Sequence, residues 1–342
     1  MRRTSFRLLL LASVALLSSI AHSRPARADE TVLNFATTNI PTTRLNIQYL
    51  HPWAEAINAD AKGAVRIEIR DGTTIANFEN YFDRVTGNVV QISWGLLSTV
   101  RGKFPRSEVS TLPFMAKSAA DASQAMWRLY KQGLIAGEYE DLHPLMLIAL
   151  TPAGIHMSHP LKSLDTLGGA KLVVSSKVNA DTASLLGGTP LSIPLSEMYE
   201  AIQRGTADGT IAAWTSFDPF HLAEVTRYHV DARLGTSAAM MFMTQATYDA
   251  LSPEAKKAID AHSGEMESRA FGAWWDGERK AGRETTVARG DKRTIIDLTP
   301  EQTAAWQKKL EPLTDSWVRN TPDGEKVLTA YRAELAKIEA EQ

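Results

Sequence analysis

The chain has 342 residues, with 37 basic, 39 acidic, 44% hydrophobic and no cysteine. Without Cys there is no disulfide framework, no thiolate metal site, no cysteine nucleophile and no lipid-bearing N-terminal Cys. A nearly balanced charge without a basic cluster gives no electrostatic case for nucleic acid or anionic lipid.

The first residues set the expected compartment. Met1 to Arg7 is cationic, Leu8 to about Leu17 is apolar, and Ala26-Arg27-Ala28 is an A-x-A signal before Asp29. That order is a secretory signal layout, with an apolar run too short to span a bilayer. It predicts a signal peptide over 1–28, cleavage after Ala28 and a periplasmic protein. The Arg2-Arg3 pair suits a twin-arginine signal, but the residues after it fit that signal poorly. Losing residues 1–28 removes five Arg and no acid, leaving 32 basic against 39 acidic residues, a charge of −7.

Strand and helix signals then alternate. Val32 to Ala36 reads as a strand, and a helix over Tyr49–Ala61 carries Leu50, Trp53, Ala54 and Ile57 at i, i+3, i+4 and i+7 before Gly63. Val65, Ile67 and Ile69 alternate with polar residues as a strand, Phe78, Phe82 and Val85 mark a helix ending at Gly87, and Val89 to Trp94 reads as a buried strand. A second set follows from Gly154: a strand over Lys171–Val174, a helix edged by Leu195, Tyr199 and Ile202, and a strand over Thr210–Trp214. Ser252-Pro253-Glu254 and Thr299-Pro300-Glu301 are helix starts with a hydroxyl N-cap and Pro at the first position. The helix from Pro253 reads as long, with Ile259, Met266, Phe271, Trp274 and Trp275, and with a kink expected at Gly272, Gly277 or Gly282. The tail from Glu325 reads as a solvated amphipathic helix. These units predict two α/β lobes with mainly parallel sheets and a ligand cleft between them.

Motifs for chemistry are absent: no GxSxG, GxGxxG, Walker loop or HExxH. His156 and His159 could share a metal on a helix, but Gly154 and Pro160 favour a loop, so no metal or cofactor is expected. Glu138 and Glu140 read as solvated.

Five blocks, in order, carry a family resemblance. They are Trp53-Ala54 with Lys62 to Val65; Phe104-Pro105 with Thr111 to Phe114; Lys162 to Leu167 with Gly169-Ala170-Lys171; Pro194 to Tyr199 with Ala201 to Gly209; and Thr247-Tyr248 with Leu251-Ser252. Together they resemble the dicarboxylate-binding-type family of TRAP (tripartite ATP-independent periplasmic) solute receptors. The resemblance implies a type II periplasmic-binding-protein fold with a long bracing helix. On it, lobe I comprises 29–152 with about 236–283, and lobe II comprises 153–235 with about 284–342 and the C-terminal helices. It also implies integral-membrane transporter subunits as partners; capture by domain closure without catalysis is expected, and a monomer is the default for a protein that docks on a membrane partner.

In that family an arginine after the Gly-x-Lys turn grips the substrate carboxylate, and here Val173 takes its place. Ala212 stands where an Asn is usual, and His156 where some members carry a second Arg. Two readings follow. In one, a neutral or aromatic solute is held by Trp94, Leu195, Trp214 and Met240 or Met241, oriented by Thr38, Asn39, Asn77 and Ser175, with Ser93 beside them. In the other, an organic acid is held by His156, Lys177, Arg44 or Arg101, or through a bound cation. Core packing is the competing role for Trp94, Trp274, Trp275 and the run Met240 to Met243. An α/β enzyme and a sensor subunit are the competing functions.

Overall fold

The structure is a computed structural model describing residues 30–290 and 292–342; the expected signal peptide and its cleavage site lie outside the described residues. The helices are α1 (His51–Ala61), α2 (Tyr81–Thr86), α3 (Ala119–Lys131), α4 (Lys177–Leu185), α5 (Met198–Gln203), α6 (Leu222–Val225), α7 (Gln245–Asp249), α8 (Pro253–Ala261), α9 (Glu265–Ala288), α10 (Pro300–Asn320) and α11 (Gly324–Ala340). None is long and apolar enough to cross a membrane among the described residues.

Two sheets centre two α/β lobes. The first contains β1 (Thr31–Ala36), β2 (Val65–Arg70), β3 (Ile92–Leu96), β4 (Leu142–Ala149) and β10 (Ala238–Thr244), in the order β2-β1-β3-β10-β4. The second contains β5 (Ala153–Met157), β6 (Lys171–Val173), β7 (Thr189–Leu191), β8 (Gly209–Ala213), β9 (Tyr228–Asp231) and β11 (Thr294–Asp297), in the order β11-β9-β5-β8-β6-β7. Both sheets are mixed rather than mainly parallel, because β10 runs antiparallel to β3 and β4, and β5 antiparallel to β8 and β9. The cause is topological. The chain leaves the first lobe at the end of β4, enters the second with β5, and returns from β9 into β10, so β5 and β10 both start at the hinge. Residues 150–153 and 234–237 bond to one another there: Leu150 N donates to Ser237 O at 2.8 Å and Ala153 N to Gly235 O at 2.8 Å. The other strands therefore point their carboxyl ends at the hinge and the gap beside it, where ligands of such sheets bind.

Local chemistry explains where elements start and stop. Ser252 accepts from Ala255 N, and Thr299 forms a full capping box with Gln302, as the sequence predicts. β3 begins at Ile92, three residues later than expected, and Val89 is exposed. Val89 N and Val90 N both donate to Arg84 O, and Asn88 is left-handed at φ 55°, so this stretch closes α2. The helix expected from Pro253 is two helices. The break falls at Gly264, whose φ of 96° and N–H bond to Leu145 O end the first run.

Both α9 and α10 span the lobes. Phe271 of α9 lies in the core of the first sheet, while Gly282 abuts the turn after β8. Trp306, Leu310 and Leu313 of α10 lie in the second core and Trp317 in the first. Val327, Leu328, Tyr331, Leu335 and Ile338 of α11 pack into the first core, so this helix is half buried rather than merely solvated. Glu138 is not solvated either: it accepts from Arg106 N at 2.6 Å and from Ser107 N and Oγ at 3.0 and 2.6 Å.

Candidate functional site

Thr38 and Asn39 follow β1, Val173 ends β6, and Trp214 follows β8, so the topology places them at the edges facing the gap. On the first lobe Trp94, 2% exposed, sets its ring 5.7 Å from Phe78, 6.2 Å from Phe271 and 6.4 Å from Trp275. The indole N–H groups of Trp94 and Trp275, Thr38 Oγ1 and Asn39 Nδ2 are buried without a hydrogen-bond partner. Buried donors are nearly always satisfied, so unpaired ones grouped on one lobe are unusual. Two expected site residues are committed instead. Ser93 Oγ donates to Ala36 O at 2.8 Å, tying β3 to β1, and Asn77 Oδ1 accepts from Glu79 N and Asn80 N at 3.0 and 3.1 Å, shaping the turn into α2.

On the second lobe Trp214 is fully buried, 4.6 Å from Phe217, 4.7 Å from His156 and 5.0 Å from His229 between ring centroids. Its N–H also lacks a partner. The hydrogen bonds fix the histidine tautomers. His156 Nε2 must donate to the Ala212 carbonyl (3.0 Å), so its Nδ1 carries a lone pair and accepts from His229 Nδ1 (3.1 Å). His229 Nε2 is then a buried acceptor without a partner. Burial pulls the His156 pKa down to about 3; burial, then His156 and nearby Arg residues, pull His229 down to about 2. Both rings are neutral at physiological pH.

Val173 is sealed in an apolar cluster with Met198, Ile202, Trp214, Phe217 and Leu222. Leu195 packs on the rim of that cluster, Ala212 contributes its carbonyl to His156, and Ser175 is exposed beyond β6. His156 lies in β5 rather than a loop, while His159 is exposed, and no metal-holding group of His, Asp or Glu occurs among the described residues. The cations considered for an acid are dispersed or engaged: Arg101 is exposed, Lys177 is exposed and bonds Asp181 at 2.5 Å, and Arg44 bonds Glu278 at 2.9 Å. Met240 to Met243 form the buried middle of β10 and serve as core.

Sequence reasoning passed over the face of α9 that joins the two walls. Phe271, Trp275, Glu278 and Gly282 recur at i, i+4, i+7 and i+11 and share one side of the helix. Phe271 and Trp275 meet Trp94. A Cβ on Gly282 would fall 2.5 Å from the Trp214 carbonyl, so glycine permits the contact. Glu278 lies between them along the stripe. Asp276 anchors the helix to the first lobe by accepting from Ala119 N and Ala120 N at 2.9 and 3.0 Å. Arg279 and Arg283 anchor it to the second through Asp231, at 2.6 and 3.2 Å. Phe217 and His229 were also missed: the tight turn after β8 sets Phe217 against Trp214 three residues on, with Phe217 N donating to Trp214 O at 3.1 Å, whereas only the fold brings His229 there. The arrangement gathers packed aromatic rings and unpaired indole N–H groups at the strand ends of both lobes.

Comparison with known proteins gives the same direction. The profile of DctP, bacterial extracellular solute-binding protein family 7, matches residues 35–320. A marine metagenome TRAP solute-binding protein specific for aromatic acid ligands, in complex with metahydroxyphenylacetate, superposes with a TM-score of 0.82 at 26% identity, over 90% of this chain and 99% of that one. A TRAP solute-binding protein from Rhodoferax ferrireducens T118 with copurified benzoate gives 0.81 at 27% identity, over 90% and 98%. The outer membrane transporter protein TsaT of Comamonas testosteroni is 24% identical over 95% of this chain and 97% of its own.

Proposed function

The chain belongs to the bacterial extracellular solute-binding proteins of family 7, and from that premise we propose that it captures a single-ring aromatic solute between Trp94 with Trp275 on one lobe and Trp214 with Phe217 on the other. The receptor class follows from the family and from its TRAP-type structural relatives, two of which hold aromatic acids. The observation that carries the aromatic assignment is the set of orphaned indole N–H groups on both walls. Ring faces and N–H donors together suit a flat ligand with a polar substituent.

In this reading, Thr38 and Asn39 supply donors to the substituent and Trp214 supplies a wall. Val173, Leu195 and Ala212 shape the apolar floor, with His156 holding the Trp214 side in place. Ligand touching both lobes favours the closed state, which integral-membrane transporter subunits recognise. The mature chain begins at Asp29 after export to the periplasm, acts as a monomer, and leaves its solute chemically unchanged. The aromatic acids bound by relatives favour a second reading in which Arg44 meets a ligand carboxylate.

Trp214→Phe tests the site while keeping most of the packing. Removing one N–H donor is worth ~0.5–1.5 kcal/mol, so calorimetry should show about two- to thirteenfold weaker binding. Undiminished binding would take Trp214 out of the site.

A further inference from the structure

Arg44 opens the helical segment that runs into α1 and reaches to Glu278 of α9 at 2.9 Å. The two ends differ: the Arg44 side chain is 51% exposed and the Glu278 side chain 17%. Glu278 sits on the stripe whose neighbours touch Trp94 on one side and the Trp214 turn on the other. Burial, with Asp218 of the second lobe adding to it and Arg44 opposing, raises the Glu278 pKa. Around this point the other charges are balanced, since Arg279 and Arg283 pair with Asp231 and Asp297, and His156 and His229 are neutral. The local charge is thus one guanidinium against two carboxylates, at a site where Val173 supplies no cation.

We propose that Glu278 is a specificity-determining residue: a resident carboxylate that occupies Arg44 and turns the aromatic cleft against acids, so that the accepted solute is an uncharged ring compound bearing an amide or hydroxyl. The proposal rests on the aromatic-cleft reading and names the charge class of its ligand. An arriving carboxylate has to share Arg44 with Glu278 and lie near Asp218, which like-charge repulsion opposes in a partly desolvated cleft. A neutral amide or hydroxyl meets no such opposition, and its oxygen can accept from the orphaned indole, Thr38 or Asn39 donors. Rejection through an unfavourable charge is a common route to specificity.

The test is calorimetric titration of the mature chain and its Glu278→Gln variant with benzoate, benzamide and benzylamine, which share a ring and differ in charge. Wild type should bind benzamide at least tenfold tighter than benzoate, and Glu278→Gln, which frees Arg44, should shrink or reverse that ratio by tenfold or more. Glu278→Ala supplies the same comparison if the Gln variant does not fold. Benzoate or benzylamine binding tightest to wild type, or an unchanged ratio in both variants, overturns the proposal. If benzoate wins but Trp214→Phe still weakens it, the aromatic cleft stands and only the charge assignment falls. If none of the three probes binds, the cleft reading falls and the proposal with it.

Discussion

At the scale of single residues, the histidine pair and Val173 are the buried groups whose substitution is most informative. Both imidazoles have folded pKa values below the unfolded 6.5, so the unfolded chain takes up protons first as pH falls. Stability contributed by the pair is full above about pH 6.5 and is lost on the way down towards pH 3. Each histidine should cost about 2 kcal/mol by pH 5. Urea unfolding at pH 7 and pH 5 checks this: a His156→Gln/His229→Gln double variant should lose much less between the two pH values than wild type. Val173→Arg makes the converse point. The position is sealed by Met198, Phe217 and Leu222, so a guanidinium there is buried without a partner. The variant should unfold at least ~3 kcal/mol more easily, measured by chemical denaturation, rather than gain affinity for acids. At this scale Val173 was legible as a departure from a family pattern, and Trp214 was singled out by its place at the end of the strand after Asp208-Gly209. His229 was not, because its partner is 73 residues away and only the β5–β9 pairing joins them.

The elements show why the same letter reads differently in different places. Three glycines of α9 were expected to kink it, yet the helix runs unbroken over 24 residues. Gly272 and Gly282 allow close approach: an added Cβ would lie 2.4 Å from Ala119 O or 2.5 Å from Trp214 O, whereas at Gly277 nothing lies within 4 Å. Gly272→Ala and Gly282→Ala should each destabilise by about 1–3 kcal/mol, while Gly277→Ala should stabilise by about 0.5–1 kcal/mol through helix propensity. Thermal melts of the three variants settle the contrast; three equal shifts would refute it. The helix starts at Ser252 and Thr299 could be read from sequence because caps are local chemistry. The break at Gly264 could not, since its bond to Leu145 O is tertiary.

Across the whole molecule, two lobes meet at a bonded pair of crossover segments, with α9 and α10 spanning both. The α/β alternation and the two-lobe plan were legible from hydrophobic periodicity. The antiparallel settings of β5 and β10 were not, because they depend on where the chain crosses between lobes. The same crossing turns the other strands' carboxyl ends toward the hinge, the side on which the proposed site lies. The most direct test is a thermal-shift panel on the mature chain, spanning single-ring aromatics, C4 dicarboxylates and sugar acids. The largest stabilisation should come from a single-ring aromatic and fall in a Trp214→Phe variant; the largest shift coming from a dicarboxylate or a sugar acid, undisturbed by that variant, would contradict an aromatic-binding cleft.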